Sequence, residues 1–417
     1  MLSTTAASLH RNFRLILARL GTQPAARRKE RPRWRRHSQN EACYTLQETI
    51  KLLQQYLGDV SDALAPSHPT LRWVQAMTVR MKDIAQDLGL SVVTISKVLR
   101  NHPDIAEETR ERVMRRVKEL DYQPNLLARS LVTGRSYLIG LVVPSLLHPF
   151  FAEVAKAISA TVGEQGYSIL LSSSEEDFSL ESREIEQLTA RRLDALVVAT
   201  AGADRAVFDR LSNNQVPYVL IDREIPGLTA NFVGIDDEAA GRLATEHLIQ
   251  LGRRRIAHIR GRENSTGIRR FEGYRKALAK AGLPLAEELV VPRSNVDVDS
   301  TRMGAEAMRL LLERHPRPDA LFAYNDPLAT GAMNAILEAG LRIPQDIAVI
   351  GCGNLHYDAL LRVPLSSIDQ RSTQIGERTA EVLLRLLGSR KEQQPVNIIL
   401  EPSLVVRDST SGPGGIL

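Results

Sequence analysis

Apolar residues between Val79 and Leu120 recur at helical spacing in three short blocks. Ile84, Ala85 and Leu88 share one helix face, Ile95, Val98 and Leu99 share a face on a second helix, and Gly89-Leu90-Ser91 forms a tight turn between them. A third helix, predicted from Glu107 to Leu120, offers Val113, Val117 and Leu120 to close a small core and leaves Arg112, Arg115, Arg116 and Lys118 outward. From Tyr137 onward the period changes. Short β-branched runs (YLIGLVV, YSILLS, DALVVAT, PYVLID) alternate with helical patterns that begin at Phe151, Glu181 and Asp204, and the alternation resumes with IAHI, ELVV, DALFAY and DIAVIG. This βαβ rhythm predicts parallel sheets covered by helices on both faces. Two such lobes of roughly a hundred residues each place a cleft at the carboxyl ends of their strands, where open α/β sheets bind ligands.

The second helix of the head carries chemistry on the face opposite its core. Ser91 is placed as its N-cap, and Val93, Ser96, Lys97 and Arg100 follow at i, i+3, i+4, i+7 spacing. Such a face fits a DNA major groove: Lys97 suits guanine O6 and N7, while Val92 and Val93 suit thymine methyls or base edges. By periodicity alone, a three-helix bundle with an ordinary charged surface fits equally well.

Charge changes this picture less than it first suggests. The chain has 417 residues and a net charge of +5, but residues 1–40 hold ten Lys/Arg and one acid, leaving 44 basic against 48 acidic residues, or −4, for the remainder. The leader cluster Arg27, Arg28, Lys29, Arg31, Arg33, Arg35 and Arg36 resembles a transit peptide or a phosphate-binding arm; it equally suits a disordered tail or an over-long start with Met77 or Met81 as initiator. Leu46, Ile50, Leu53 and Leu57 predict a short amphipathic helix over 44–57, with no function attached. The two cysteines, Cys43 and Cys352, stand apart and in no metal-ligand spacing, which argues against a disulfide framework or zinc site and fits a reducing cytoplasm. No run of about 18 apolar residues reads as a membrane span. No Walker or G-x-G-x-x-G loop and no G-x-S-x-G elbow occurs, and His148, His258 and His356 are scattered, so an enzyme has little support; neither a metal nor a cofactor is expected. A plain binding protein of the same α/β fold would need an export signal and no DNA head, the reverse of what is seen.

The run Asp83 to Asn101, D-I-A-x-x-L-G-L-S-x-x-T-I-S-K-V-L-x-N, resembles the headpiece signature of the lac and gal repressor family, and the similarity continues to about Ser409. The resemblance implies a helix-turn-helix headpiece followed by a two-lobed α/β domain like a periplasmic binding protein. It also implies a transcriptional regulator, most often a repressor, that grips a palindromic DNA operator as a dimer or higher homo-oligomer under the control of a small, sugar-like effector. Ser91, Val92, Val93, Thr94, Ser96, Lys97 and Asn101 then form the base-reading segment. Ala106 stands where the family usually has a capping Ser, and Asp104 is expected to take up part of that role.

After Pro124, Asn125 can cap a short helix with Leu127, Ala128 and Leu131 on one face. Seven residues do not hold a helix alone, so it is expected to fold only when paired with its twin on DNA. The resemblance assigns this hinge to the minor groove, with Leu131 wedged into the central base step. A plain interdomain linker is the bland alternative.

Strand-end residues supply the expected effector contacts: Phe150 and Phe151 for stacking, Arg270 as the family's gripping arginine, Thr266 as a hydroxyl neighbour, Asn264 as a weaker one, and Asn325 and Asp326 for hydroxyl recognition, although Asp326 also suits a helix cap. Asp222, with Arg223, is expected at the first chain crossing, as ligand contact or lobe bridge. Where the family commonly has Y/F-D-D/N, this chain reads Cys352-Gly353-Asn354, so the usual anchoring carboxylate falls on Gly353. Asn354 is expected to substitute, favouring a different hydroxyl pattern or a ligand with its own negative charge beside Arg270. The expected organisation is a leader over 1–77, a helix-turn-helix domain over 78–123, a hinge and linker over 124–136, an effector domain over 137–410 and a tail over 411–417. The resemblance puts crossings near Asp222, Gln370 and Val396, hence an N-lobe of 137–222 and 370–396 and a C-lobe of 223–369 and 397–410.

Overall fold

The computed structural model describes residues 79–99, 101–123, 130, 133–202, 205–389 and 393–411. They fall into two compact units that divide between Tyr122 and Gln123. The first is a three-helix head: α1 (Met81–Leu88), α2 (Val92–Leu99) and α3 (Glu107–Glu119). Gly89 ends α1 in the left-handed conformation (φ 62), which a side chain would disfavour, and Leu90 N–H reaches back to Ala85 C=O at 2.9 Å. That turn swings α2 so that Ile95 and Val98 meet Ile84, Ala85, Val113 and Tyr122 in one buried cluster.

The second unit contains two six-stranded sheets. β1 (Leu138–Val143), β2 (Ser168–Ser173), β3 (Ala195–Val198), β4 (Tyr218–Ile221) and β5 (Asn231–Ile235) alternate with α4 (Pro149–Gly163), α5 (Phe178–Ala190) and α6 (Arg205–Asn213). Next come α7 (Asp237–Gln250), β6 (Ile256–Arg260), α8 (Ser265–Lys280), β7 (Val290–Pro292), α9 (Ser300–Leu312), β8 (Ala320–Ala323), α10 (Asp326–Glu338), β9 (Ala348–Gly353) and β10 (Ser366–Asp369). The described residues end with α11 (Ser372–Gly388), β11 (Asn397–Leu400), β12 (Ser403–Val405) and α12 (Asp408–Ser411). The first sheet has the order β11-β5-β4-β3-β1-β2, all parallel; the second has β12-β10-β9-β8-β6-β7, with β12 alone antiparallel. The central strands β1, β3, β4, β8 and β9 are buried on both faces, which is why they read as continuous apolar runs rather than alternations.

Three connections cross between the lobes, and two lie away from the positions expected. β5 pairs with β4 through Leu220 and Phe232, so the chain stays in the first lobe past Asp222 and leaves only at Asp236, whose carboxylate caps α7. β11 pairs with β5, so the last crossing falls at Glu401-Pro402 and not at Val396. The middle crossing runs through Gln370-Arg371 between β10 and α11. Hydrogen bonding, not apolar pattern, assigned β5 and β11 to the first sheet.

Candidate functional site

In the head, Ser91 Oγ accepts the Thr94 N–H at 3.0 Å and meets Thr94 Oγ1 at 2.9 Å, fixing the first turn of α2. Val92 and Val93 are 43% and 64% exposed, although each costs free energy when left in water. They stand beside Ser96 and Lys97 on the face turned away from the core. Lys97 Nζ lies 3.5 Å from the Asp104 carboxylate, a half-exposed pair of little energetic weight, so its ammonium is available to an acceptor on DNA. Asn101 takes the left-handed conformation (φ 52) and its Oδ1 accepts from Arg110 Nη1, which pins the loop after α2 onto α3. Asp104 does not cap α3: Ala106 is the N-cap without a side-chain bond, and Asp104 turns instead to Lys97 and His102. The candidate hinge residues Asn125, Leu127, Ala128 and Leu131, like Arg100, lie outside the described residues.

In the second unit, the loops at the carboxyl ends of the strands bring charged side chains from both lobes together. Arg223, which follows β4 and is fully buried, donates through Nη1 to Thr200 C=O at 3.1 Å and through Nη2 to Glu176 Oε1 at 3.2 Å and to Asp297 Oδ2. Its Nε lies 3.4 Å from Asp222 Oδ2, an ionic contact without hydrogen-bond alignment. Glu176 and Asp222 belong to the first lobe, whereas Asp297 follows β7 in the second. From the second lobe, Asn325 Nδ2 donates to Asp297 Oδ1 at 3.1 Å and lies 3.3 Å from His148 Nε2, at the start of α4 in the first. Arg262 Nη1 donates back to Glu176 C=O at 2.9 Å.

One guanidinium thus faces three carboxyl groups. Burial pushes Glu176 up to about 7, against the opposing pull of Arg223, and pushes Asp222 up to about 6. Burial lowers His148, keeping its imidazole neutral at physiological pH. Phe150 and Phe151 sit beside it, buried, with ring centroids 5.1 Å apart in a T-shaped pair, and Phe151 is edge-on to His148 at 5.5 Å.

Arg270 reaches the same region but is held within its own lobe. Gly241 on α7 lets α8 approach until the Arg270 backbone carbonyl occupies the place of a side chain. The guanidinium then donates to Asp237 Oδ1 at 2.8 Å and Tyr324 C=O at 2.7 Å, and it covers the Tyr324 ring at 4.6 Å. Thr266 Oγ1 meets Tyr324 Oη at 2.9 Å and Asn264 Oδ1 at 2.8 Å, and Asn264 is the N-cap of α8, its Oδ1 accepting from Gly267 N–H at 2.9 Å.

Two expected contacts are used elsewhere. Asn325, not Asp326, caps α10, accepting from Leu328 N–H at 2.9 Å. The Asp326 carboxyl is fully buried beneath the end of β9, bonded to Ser367 Oγ at 2.6 Å and filling the space that side chains at Gly351 and Gly353 would need. Beside it, burial and the Asp326 charge push Asp358 up to about 9. Asn354, at positive φ, has its Oδ1 bound by Arg407 Nη2 at 2.5 Å, which ties it to the C-terminal segment of the second lobe. The neutral substitute for the missing carboxylate is therefore already engaged. Glu176, Asp297 and Tyr324 escaped the sequence reading, and His148 was passed over as scattered; all four follow strands, and that position was their only local signal. A surface cavity of about 430 Å³ is lined in part by Glu224, Ile225, Leu228, Phe232, Ser265 and Arg269, and neither Arg223 nor its carboxylate partners line it. Among the described residues, no group of three or more His, Cys, Asp or Glu is placed to hold a metal ion, and no helix is long and apolar enough to cross a membrane.

Comparison with known proteins agrees with this geometry. Residues 80–125 match the family described as "Bacterial regulatory proteins, lacI family", and residues 136–404 match "Periplasmic binding proteins and sugar binding domain of LacI family". The chain is 34% identical over 342 residues to the HTH-type transcriptional regulator DegA of Bacillus subtilis (strain 168), covering 80% of this chain and 99% of DegA. It is also 34% identical over 335 residues to the HTH-type transcriptional repressor PurR of Haemophilus influenzae (strain PittEE), covering 79% and 98%. Among solved structures, the lac repressor dimer bound to operator and the anti-inducer ONPF superposes with a TM-score of 0.69 at 27% identity, covering 80% of this chain and 99% of that one.

Proposed function

This chain belongs to the LacI family of bacterial regulatory proteins, DNA-binding regulators and not enzymes, and we propose that it represses transcription from a palindromic operator as a homodimer whose grip is set by a sugar-like effector. The observation that carries this reading is the Ser91-capped helix α2, which presents Val92, Val93 and Lys97 outward on a head otherwise closed around Ile84, Ile95 and Val113. Large apolar side chains beside an ammonium suit base edges in a major groove.

Two heads need a two-fold axis to read a palindrome, and the sensing domains supply the dimer contact in this proposal. Phe150, Phe151, Asp222, Thr266, Arg270 and Asn325 contribute the effector site together with Arg223, Glu176 and Asp297. Effector binding changes the balance between lobe arrangements, which alters the spacing of the paired hinges; Leu131 wedges between base pairs only when both hinges fold. The protein acts in the bacterial cytoplasm, on the nucleoid when bound.

The test is a gel shift of protein from Met77 onward against DNA upstream of its own gene, with and without candidate sugars, beside the Leu131→Ala variant. Specific binding that responds to a sugar in the parent, and is weakened with a lost response in Leu131→Ala, is expected. Unchanged affinity and response in the variant overturn the hinge assignment, and no specific shift overturns the operator reading.

A further inference from the structure

The charge inside the cleft constrains what the effector carries. Asp222, Glu176 and Asp297 surround the single guanidinium of Arg223, and each of these side chains is more than nine-tenths buried. The other two arginines of the region direct their donors elsewhere, although their charges still act on Glu176 and Asp222. Arg270 is spent on Asp237 and Tyr324, and Arg262 is directed at a backbone carbonyl. Two buried polar atoms of the cluster, Glu176 Oε2 and His148 Nδ1, have no hydrogen-bond partner among the described residues. An unpartnered buried carboxylate oxygen is costly, so it marks where a ligand donor gains most.

We propose that the effector is a polyhydroxylated molecule bearing an ammonium group, an amino sugar or its close relative, with the ammonium seated among Glu176, Asp222 and Asp297. This rests on the effector-cleft reading above. An ammonium brings three donors, one of them for the unpartnered Glu176 Oε2, favours the ionised carboxylates over the protonated forms that burial promotes, and competes with Arg223 for them; hydroxyls on the same molecule serve either tautomer of His148. A carboxylate-bearing ligand meets the opposite balance, three acidic groups against one arginine, and so the acidic sugar suggested by the Gly353 substitution is disfavoured. The residues that decide this class are spread over loops after β2, β4 and β7.

The experiment is calorimetric titration of the full chain at pH 7.0 with two matched trios: glucosamine, glucose and glucuronate, then galactosamine, galactose and galacturonate. The amino member of at least one trio is expected to bind about tenfold or more tighter than its neutral counterpart, with the acid weakest. In Asp222→Asn and Glu176→Gln the preference for the amine over its neutral counterpart is expected to fall below about threefold; Asn tolerates the positive φ of position 222. Should these variants fail to fold, selectivity of the unaltered protein still decides. A neutral or acidic member that binds as tightly as the amine, or no binding by either amine at 10 mM, overturns the proposal. A neutral sugar that binds more tightly than either amine and shifts operator affinity overturns it while leaving the regulator reading intact.

Discussion

Arg223 of the first lobe and Asp297 of the second form a fully desolvated ion pair across the cleft, with Glu176 sharing the same guanidinium nitrogen. A buried pair of this kind is weak as a source of stability, because desolvation offsets most of the Coulombic gain, but removing one partner leaves charge uncompensated.

Replacing Arg223 with Met is therefore expected to cost about 3–5 kcal/mol at pH 8. Glu176 and Asp222 then lack their counter-ion and gain by protonation, so the deficit shrinks at pH 5.5. Urea unfolding of both proteins at the two pH values measures this; an equal deficit at both would contradict the assignment of the cluster's charge to these carboxylates.

Asp358 gives a second pH dependence. Its carboxyl is raised to about 9 by burial and by Asp326, far above an unfolded aspartate near 3.9. A raised folded value means that the folded state holds a proton the unfolded chain releases. Stability is full below about pH 4 on this account and falls as pH rises toward 9. Asp358→Asn keeps an oxygen for Leu355 N–H, bonded at 2.7 Å in the parent, and supplies a permanent donor to Asp326. It is expected to flatten the stability profile between pH 5 and 9, read by thermal unfolding, and to be the more stable protein at pH 8.5.

Lys97→Ala is expected to weaken operator binding by ~1–3 kcal/mol and to relax discrimination at one base pair, measured by gel shift against single-base operator variants. Head stability should change by less than about 0.5 kcal/mol, since only the half-exposed contact to Asp104 is lost.

Ile95→Ala acts on the opposite face of the same helix. Ile95 is fully buried against Ile84 and Val113, and its truncation should cost ~2–5 kcal/mol. In a head this small, that is enough to melt it separately. Two calorimetric transitions are expected where the sensing domain's remains unchanged, with specific DNA binding lost.

The head was legible in the sequence because its information is local. Ile84, Leu88, Ile95 and Val98 declare their helices within a few turns, Gly89 declares the turn, and Ser91 declares the cap; Asp104 was misread because the N-cap falls on Ala106, two positions on, and the carboxylate turns to Lys97 and His102 instead. The βαβ rhythm was legible for the same reason. Lobe membership was not: β5 and β11 look alike wherever they pair, and only the ladder between Ile398 and Val233 settles where they belong.

Sequence alone determined the three head helices, eight of the twelve strands described and the family resemblance, since helical and strand periods and the D-I-A-x-x-L-G-L-S run are properties of neighbouring residues. Tertiary structure alone decided the chemistry of the cleft. Glu176, Asp222, Arg223 and Asp297 lie up to 121 positions apart, and their meeting depends on which loop each strand delivers to the lobe boundary. Burial there then sets which carboxyls keep their protons, and whether Arg270 and Asn354 are free or already held, because removing water makes each remaining partner count.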